Sequence, residues 1–296
     1  YAGLRSPEWP EEILGPLDAE RVARGEVLYR STCQGCHLPP LTDAEAFLDD
    51  AHWTEPLSDD PHGRRYLKVK LVNLWDIGTD PGAAVNFYQR TVQLGELGEK
   101  FKDTLAIGGL HRGGWVTAGV GLPFLIRKAT EKRYEDLGLS DSLRAAFDGY
   151  RPPVIQAPMA YKARPLNGVW ATAPFLHNGA VPTLYHLLGP QEDRPDQFWL
   201  GTKEFDPELV GYRLGPVDGG FLLDSSLPGN SNRGHRFCGT REEGPDHWER
   251  GCVPPGAGAG ARKSTKGVIG PALSHEERLD LMEFLKSLPG APTPGR

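Results

Sequence analysis

The run Cys33-Gln34-Gly35-Cys36-His37 decides most of what this chain can be. Two cysteines in a C-x-x-C pattern, followed at once by histidine, form the attachment signature of c-type haem. Each thiol can form a thioether with a haem vinyl group, and the histidine then lies against the iron as its proximal ligand. The motif therefore predicts one covalently bound haem c, attached to Cys33 and Cys36 and ligated by His37.

Two other interpretations of a C-x-x-C pair are a thioredoxin-like redox centre and half of a zinc site. A thioredoxin fold needs the pair to stand near a βαβ pattern, which the surrounding sequence does not show. A four-cysteine zinc site needs a second C-x-x-C, whereas the other two cysteines, Cys238 and Cys252, are 14 positions apart. The haem interpretation is therefore preferred.

Composition limits the fold and the partners. The 296 residues include 37 glycines and 27 prolines, which favours a loop-rich fold with short helices. The net charge of −6 argues against nucleic acid as a partner, and no apolar run approaches the roughly 20 residues that cross a bilayer. Haem attachment to C-x-x-C-H normally takes place outside the cytoplasm. We therefore expect that a targeting segment, or something longer, preceding Tyr1 has been removed and that the protein is periplasmic or extracellular.

The two remaining cysteines agree with export. Cys238 and Cys252 close a loop of about 15 residues, for which a disulfide contributes roughly 3 kcal/mol. Two free thiols are the alternative, and an oxidising compartment makes them less favourable. The sequence therefore predicts a disulfide between these two residues.

Helices near the two ends of the chain indicate the fold class. Asp18 is a plausible N-cap for a helix from Ala19 to Ser31, which runs straight into the haem motif. Ser274 and Glu277 form an S-x-x-E capping box for a last helix that ends near Leu288. A first and a last helix that cross beside the haem form the scaffold of class I cytochromes c. We therefore predict a mainly α, class I cytochrome c-like haem domain with long loop-rich insertions.

The same pattern predicts the domain organisation. Residues 1–17 contain three prolines and are interpreted as an extended arm, and residues 18–296 as a single elaborated cytochrome c domain. The insertion occupies about residues 42–270, between the haem-motif helix and the C-terminal helix. Within it, residues 84–104 and 139–148 are predicted to be helical.

The second axial position of the iron decides the function. An open position allows oxygen or peroxide chemistry, whereas a second strong ligand favours electron transfer. Met159 lies on a loop, and His177 and His235 lie among turn-forming residues that fix the backbone, so spacing leaves all three open. Met282 lies on the apolar face of the last helix, where core packing is the better interpretation.

A longer stretch resembles a known family. Residues 161–179, YKARPLNGVWATAPFLHNG, resemble the di-haem cytochrome c peroxidase superfamily, and more closely its rubber-oxygenase-like branch. Residues 201–207, 229–235 and 273–288 also fit that branch. The resemblance spans nearly the whole chain and corresponds to the C-terminal haem domain of a family member.

The resemblance implies a six-coordinate haem with two histidine ligands. In that branch oxygen binds at the N-terminal haem, and the C-terminal haem relays electrons. Carried over to this chain, His37 is the proximal ligand and the G-N-S-N-x-G-H segment offers His235 as the distal ligand. The family usually has glutamate after the distal histidine, where this chain has Arg236. Arg164 is a candidate for pairing with a haem propionate. Trp170 is a candidate for packing against the porphyrin, with core packing as its alternative.

Three functions are compatible with these residues. The leading hypothesis is an exported mono-haem electron-transfer cytochrome, or the relay half of a di-haem protein. Its partner would be a redox protein or a second haem-bearing subunit or domain. The second hypothesis is a haem peroxidase or dioxygenase with an open distal site. The third is a structural haem subunit of a larger redox assembly.

Overall fold

The structure is a computed structural model that describes residues 6–57, 60–101, 114–151, 158–239, 252 and 265–288. The helices are α1 Glu11–Leu14, α2 Ala19–Thr32, α3 Gln34–His37, α4 Leu74–Ile77, α5 Gly82–Gln89, α6 Glu96–Lys100, α7 Ala118–Asp136, α8 Asp141–Phe147, α9 Leu184–Leu188 and α10 His275–Ser287. Short 3-10 helices lie at Ala46–Leu48, Asp50–His52, Val169–Ala171 and Gln191–Asp193. Within the described part of the chain, every helix is too short or too polar to cross a bilayer.

The strands are short and pair two by two. They are β1 Lys70–Asn73, β2 Thr91–Gln93, β3 Trp115–Thr117, β4 Ala160–Ala163, β5 Gln197–Leu200, β6 Phe205–Asp206, β7 Gly211–Tyr212, β8 Phe221–Asp224, β9 Arg236–Phe237 and β10 Val268–Gly270. The pairs are β1 with β4, β2 with β3, β5 with β8, β6 with β7 and β9 with β10. Helices are the main regular structure of the described residues, but these small sheets make the fold more mixed than the mainly α prediction.

The chain divides into two compact units. One draws on Tyr1–His52, Val69–Pro81 and Tyr161–Arg296, and the other on Trp53–Lys68 and Gly82–Ala160. The first unit contains the haem motif and helices α2 and α10. The predicted insertion contributes to both units, and the predicted boundary between arm and domain stays a prediction.

Helices α2 and α10 lie at the centre of the first unit. Asp18 caps α2 by accepting hydrogen bonds from two backbone amides of its first turn, and Ser274 and Glu277 form a complete capping box at α10. Both predicted caps are confirmed. Met282 is only 1% exposed and belongs to the hydrophobic core, which confirms core packing as its role.

The two helices approach each other most closely at Gly25. A β-carbon placed there would lie 2.0 Å from the backbone oxygen of Asp280 and 2.7 Å from the β-carbon of Phe284. No side chain fits in that space, so glycine is what allows α2 to pack directly on α10.

The Gly25→Ala variant is therefore expected to lower the free energy of unfolding by about 1–3 kcal/mol, because the added methyl group must push the helices apart. Urea unfolding of the holoprotein measures this change. Ala23→Ser is a matched control, since it adds one atom to an exposed position of the same helix and should cost less than about 0.5 kcal/mol. Equal stability of the two variants would contradict the close packing.

A buried carboxylate joins the same two helices. Asp280 is 6% exposed. Its side chain accepts hydrogen bonds from Arg24 Nε at 2.8 Å and Nη2 at 2.9 Å, and from Arg21 Nη1 at 3.0 Å. The hydrogen bonds from Arg24 are the largest cause that holds the pKa of Asp280 below its usual range, although burial opposes them. The hydrogen bonds from Arg21 and Arg24 therefore stabilise the folded state when Asp280 is ionised.

Asp280→Asn is expected to lower the free energy of unfolding by about 1–3 kcal/mol near neutral pH. Because the folded-state pKa is lowered, the unfolded state binds more protons in acid, so this stabilisation is present above about pH 4 and is lost as the pH falls further. Urea titrations near neutral pH and below pH 4 should therefore show the difference between wild type and variant shrinking in acid. Glu276→Gln removes an exposed carboxylate from the same cluster and should change stability little. A difference that is constant with pH would argue against the assigned role of Asp280.

Candidate haem site

The C-x-x-C-H motif forms a separate helical turn at the end of α2. The backbone amide of Cys33 donates to the carbonyl of Tyr29 at 2.8 Å, and the Tyr29 hydroxyl donates to the carbonyl of Leu38 at 2.7 Å. Together these hydrogen bonds fix the chain on both sides of the motif. Cys33 and Cys36 are half-buried and are not disulfide-bonded. Burial raises the pKa of the Cys33 thiol to about 12, which disfavours the thiolate that a thioredoxin-like centre requires.

His37 is oriented by a backbone carbonyl from a distant part of the sequence. Its Nδ1 lies 2.8 Å from the carbonyl oxygen of Arg164. Because a carbonyl can only accept, Nδ1 carries the proton and donates, which leaves Nε2 with a free lone pair for a metal. Burial lowers the pKa of His37, with the Arg164 carbonyl opposing it, so the ring is neutral at neutral pH as a metal ligand must be.

The ring of His235 lies beside that of His37. The two ring centres are 6.3 Å apart and the ring planes are inclined by 64°. Imidazole nitrogens bind a metal such as zinc at about 2.0–2.1 Å, so two imidazoles on opposite sides of one metal ion have their centres roughly 6 Å apart. The observed separation therefore suits a single metal ion between the two rings.

His235 is also held in its neutral form. Burial is the largest cause that lowers its pKa, and electrostatic interactions with His37 and Arg194 add to it, so that the pKa falls to about 3. Its Nδ1 is a buried atom with no hydrogen-bond partner among the described residues. Buried polar atoms are normally paired, so this one marks a place where a further group belongs.

The residues that lead up to this ring are tied to the rest of the first unit. Residues 229–235 are called here the His235 segment. The side-chain amide of Asn178 donates two hydrogen bonds to it, to the carbonyl oxygens of Gly229 and Ser231, each at 3.0 Å. Asn178 belongs to residues 161–179, the stretch that carries the family resemblance. Its side chain supports the His235 segment in this structure.

The end of the His235 segment adopts an unusual backbone conformation. Gly234 has φ 82°, and a β-carbon there would lie 2.5 Å from the amide of Thr79 and 2.6 Å from the carbonyl of Ile77. His235 itself has φ 47°, in the left-handed region that residues with a side chain rarely adopt. The ring is therefore placed by a backbone that needs support from its neighbours.

Arg194 provides that support, although no sequence motif marks this residue. The residue is 3% exposed. It donates to backbone carbonyl oxygens of the segment, namely Asn232, Gly234 at 2.9 Å and His235 at 2.8 Å. Burial lowers the pKa of Arg194 to about 10, so it remains charged at neutral pH. Its neighbours in sequence, Gln191-Glu192-Asp193 and Pro195, are polar or turn-forming and are typical of an exposed loop.

The other predicted ligands lie in different surroundings. His177 is exposed and its ring stacks on Tyr161, with 4.0 Å between the ring centres. Met159 is half-buried and belongs to the second unit. Of the three candidates that spacing leaves open, His235 is the one whose ring lies beside His37.

The predicted roles of Arg164 and Trp170 stay predictions. The Arg164 side chain is exposed, and its contribution to the site as described is the backbone carbonyl that holds His37. Trp170 is 8% exposed and packs edge-on against Trp9, with ring centres 5.2 Å apart. Trp9 belongs to the predicted arm and is itself buried in the core of the first unit. Core packing is therefore the role that the structure describes for Trp170.

The predicted disulfide is confirmed. Cys238 and Cys252 are bonded, with their α-carbons 6.2 Å apart. Cys238 follows directly on β9, which pairs in parallel with β10 and begins at the residue after His235. The crosslink therefore anchors the chain a few residues beyond the candidate distal ligand.

Comparison with known proteins supports a haem site. Residues 160–200 match the family described as RoxA-like, cytochrome c-like. The matched stretch includes Arg164 and Arg194, whereas the C-x-x-C-H motif and His235 lie outside it. This match supports a cytochrome c-like haem domain that is similar to those of the rubber-oxygenase-like kind.

Two relatives come from Sinorhizobium fredii (strain NBRC 101917 / NGR234). The chain is 40% identical to Uncharacterized protein y4iJ over 291 residues, which are 97% of this chain and 42% of that protein. It is 29% identical to Uncharacterized protein y4iM over 224 residues, which are 76% of this chain and 40% of that protein. The chain thus spans about two fifths of the length of these curated relatives.

The residues present fit a covalently attached haem. Cys33 and Cys36 offer two thiols at the attachment spacing, and His37 follows them with its Nε2 available. His235 offers a second neutral imidazole at a separation that suits one metal ion between the rings. Both axial positions can therefore be filled by side chains of the first unit.

Proposed function

We propose that this protein is a c-type cytochrome that transfers electrons through one covalently bound haem with two histidine axial ligands. The observation that carries the proposal is the pair of neutral imidazoles, His37 and His235, whose ring centres are 6.3 Å apart. When bound, the haem supplies an iron that changes between two oxidation states, at a potential set by the surrounding protein.

The side chains of the site have distinct roles in this proposal. Cys33 and Cys36 attach the group, and the Arg164 carbonyl keeps the proton of His37 on Nδ1. The His235 segment presents the second imidazole. If His37 and His235 both bound the iron, oxygen and peroxide would find no free position there, which would favour electron transfer over peroxidase or dioxygenase chemistry.

The proposal extends to the location and the partner. The Cys238–Cys252 disulfide supports a place outside the cytoplasm, in the periplasm or the extracellular space. The electron partner we propose is a redox protein or a second haem-bearing subunit or domain. The greater length of both relatives supports the version in which the chain is the relay half of a di-haem protein.

A redox titration of the purified holoprotein, combined with a haem assay and a turnover assay, tests this function. The expected result is one haem per chain, one reversible one-electron transition and no peroxide- or oxygen-dependent oxidation of added donors. The His235→Ala variant serves as the reference for turnover, because it lacks the side chain proposed as the second iron ligand. Sustained turnover by the wild type, equal to that of the variant, would replace the electron-transfer proposal with the enzyme alternative.

A further inference from the structure

The buried guanidinium of Arg194 is an unusual neighbour for an iron ligand. Its hydrogen bonds within the described residues go to backbone carbonyl oxygens, those of Leu187 and of three residues in the His235 segment. Carbonyl oxygens solvate a cation without cancelling its charge. Glu192 acts on Arg194 from an exposed position, where water and salt screen its charge. The positive charge of Arg194 is therefore fixed behind His235.

We propose that Arg194 is a positioning residue for His235 and that its charge raises the reduction potential of the haem. This inference rests on the proposed function, because it requires His235 to be an iron ligand. It concerns a residue that the C-x-x-C-H motif and the axial histidines do not imply.

The positioning role follows from the hydrogen bonds. Arg194 holds the backbone carbonyl oxygens on both sides of the His235 α-carbon, those of Gly234 and His235, where both residues have positive φ angles. Without these bonds the segment can relax towards a more favourable backbone conformation, which moves the ring away from the iron. A ligand held in this way is expected to resist displacement.

The electrostatic role follows from the charge and its burial. The oxidised form of the iron carries one more positive charge than the reduced form, so a fixed cation disfavours it more. This effect is strong where little water screens the interaction, and Arg194 is 3% exposed. The guanidinium of Arg194 remains protonated throughout, since arginine does not lose its proton in proteins. The reduced state is therefore favoured.

Two variants of the holoprotein separate the charge from the hydrogen bonds. Arg194→Gln keeps an amide donor and loses the charge, and it is expected to shift the ferric–ferrous equilibrium at least tenfold towards the ferric form, or about 59 mV. Arg194→Lys keeps the charge and should stay within about threefold of the wild type. Arg233→Gln is the matched control, because it removes the same charge from an exposed side chain of the same segment and should also change the equilibrium by less than about threefold.

The readouts are potentiometric titration and the rate at which carbon monoxide displaces the distal ligand from the reduced protein. Both Arg194 variants should exchange the ligand faster than wild type, since neither side chain has the planar guanidinium fork that reaches these carbonyl oxygens from two nitrogens. Equal potentials for Arg194→Gln and Arg233→Gln would overturn the electrostatic role, and so would equal shifts in Arg194→Gln and Arg194→Lys. Unchanged displacement rates would overturn the positioning role.

Two further outcomes keep the test decisive. If Arg194→Gln does not fold, the lysine variant is measured alone, and a tenfold shift in that variant would overturn the electrostatic role. If wild type itself lacks a second histidine ligand, its own spectrum with carbon monoxide shows this, so failure of the proposed function is visible without any Arg194 variant.

Discussion

Replacing His235 with alanine is expected to change the haem from six-coordinate and low-spin to a form with an open axial position. In the proposed function the His235 ring supplies the second ligand, and the methyl group of alanine cannot bind a metal in its place. The ferric spectrum should become high-spin, and the reduced protein should bind carbon monoxide promptly and stoichiometrically. The haem should stay attached, because the two thioethers and His37 are unchanged. Optical spectra of the variant, with and without carbon monoxide, measure all three expectations.

His177→Ala is the matched control for this variant. It removes another histidine from a turn-rich stretch of the first unit, but one that is exposed and stacked on Tyr161. Its spectrum should be that of the wild type. A low-spin spectrum in His235→Ala together with a high-spin spectrum in His177→Ala would show that His177, and not His235, is the distal ligand.

Replacing both motif cysteines, Cys33→Ser with Cys36→Ser, is expected to abolish covalent attachment altogether. Serine hydroxyls do not form the thioether bonds, so any haem in the variant is held by axial ligands and packing. After denaturation and electrophoresis, the wild-type band should retain haem and the double variant should retain none. Each single variant should retain haem through its remaining thioether.

The two other cysteines give a control of equal size. Cys238→Ser with Cys252→Ser removes the disulfide but leaves the motif intact, so the band should keep its haem. The free energy of unfolding should fall by roughly 3 kcal/mol, as for a loop of this length. Haem that remains bound to the Cys33 and Cys36 double variant after denaturation would contradict attachment through this motif.

Local signals predicted those parts of the fold in which the decisive contacts are close in sequence. The caps at Asp18 and Ser274 depend on residues within one helical turn, and both are present. The helix predicted at 139–148 is also confirmed, as α8, with Ser140 accepting a hydrogen bond from the amide of Leu143 at its start. Such features need no knowledge of the tertiary structure.

The helical prediction over residues 84–104 is confirmed only in part, by α5 and α6, and residues 102–104 lie outside the described part of the chain. Helix α5 ends at Gln89, and strand β2, Thr91–Gln93, follows and pairs antiparallel with β3. Gly95 then has φ 55°, which breaks any helical run. The apolar positions suited a helix, but pairing with a strand more than 20 residues further on decided the outcome.

Helix α7 was missed for a related reason. Its first turns contain Gly119, Gly121 and Pro123, which are typical of a loop. In the structure a β-carbon at Gly121 would lie 2.8 Å from the Val116 side chain, so this glycine permits close packing within the second unit. That reason for a glycine inside a helix becomes visible only when the tertiary contacts are known.

In the candidate site too, residues marked by a local sequence pattern were predicted, whereas a residue defined by contacts distant in sequence was not. The motif predicted Cys33, Cys36 and His37 directly, and the resemblance pointed to His235. Arg194 could not be found in this way, because its partners are backbone carbonyls of residues 38 to 41 positions later in the chain. Backbone carbonyls are present in every residue type, so no sequence pattern marks such a contact.

Coordination of one haem iron by both His37 and His235 can be tested on the wild-type holoprotein with an optical spectrum, ferric and then dithionite-reduced, with and without carbon monoxide. The expected result is a low-spin spectrum in both oxidation states that carbon monoxide does not change, since two protein ligands occupy the axial positions. A high-spin ferric band, or a prompt shift on addition of carbon monoxide, would contradict the two-histidine site and with it the electron-transfer function.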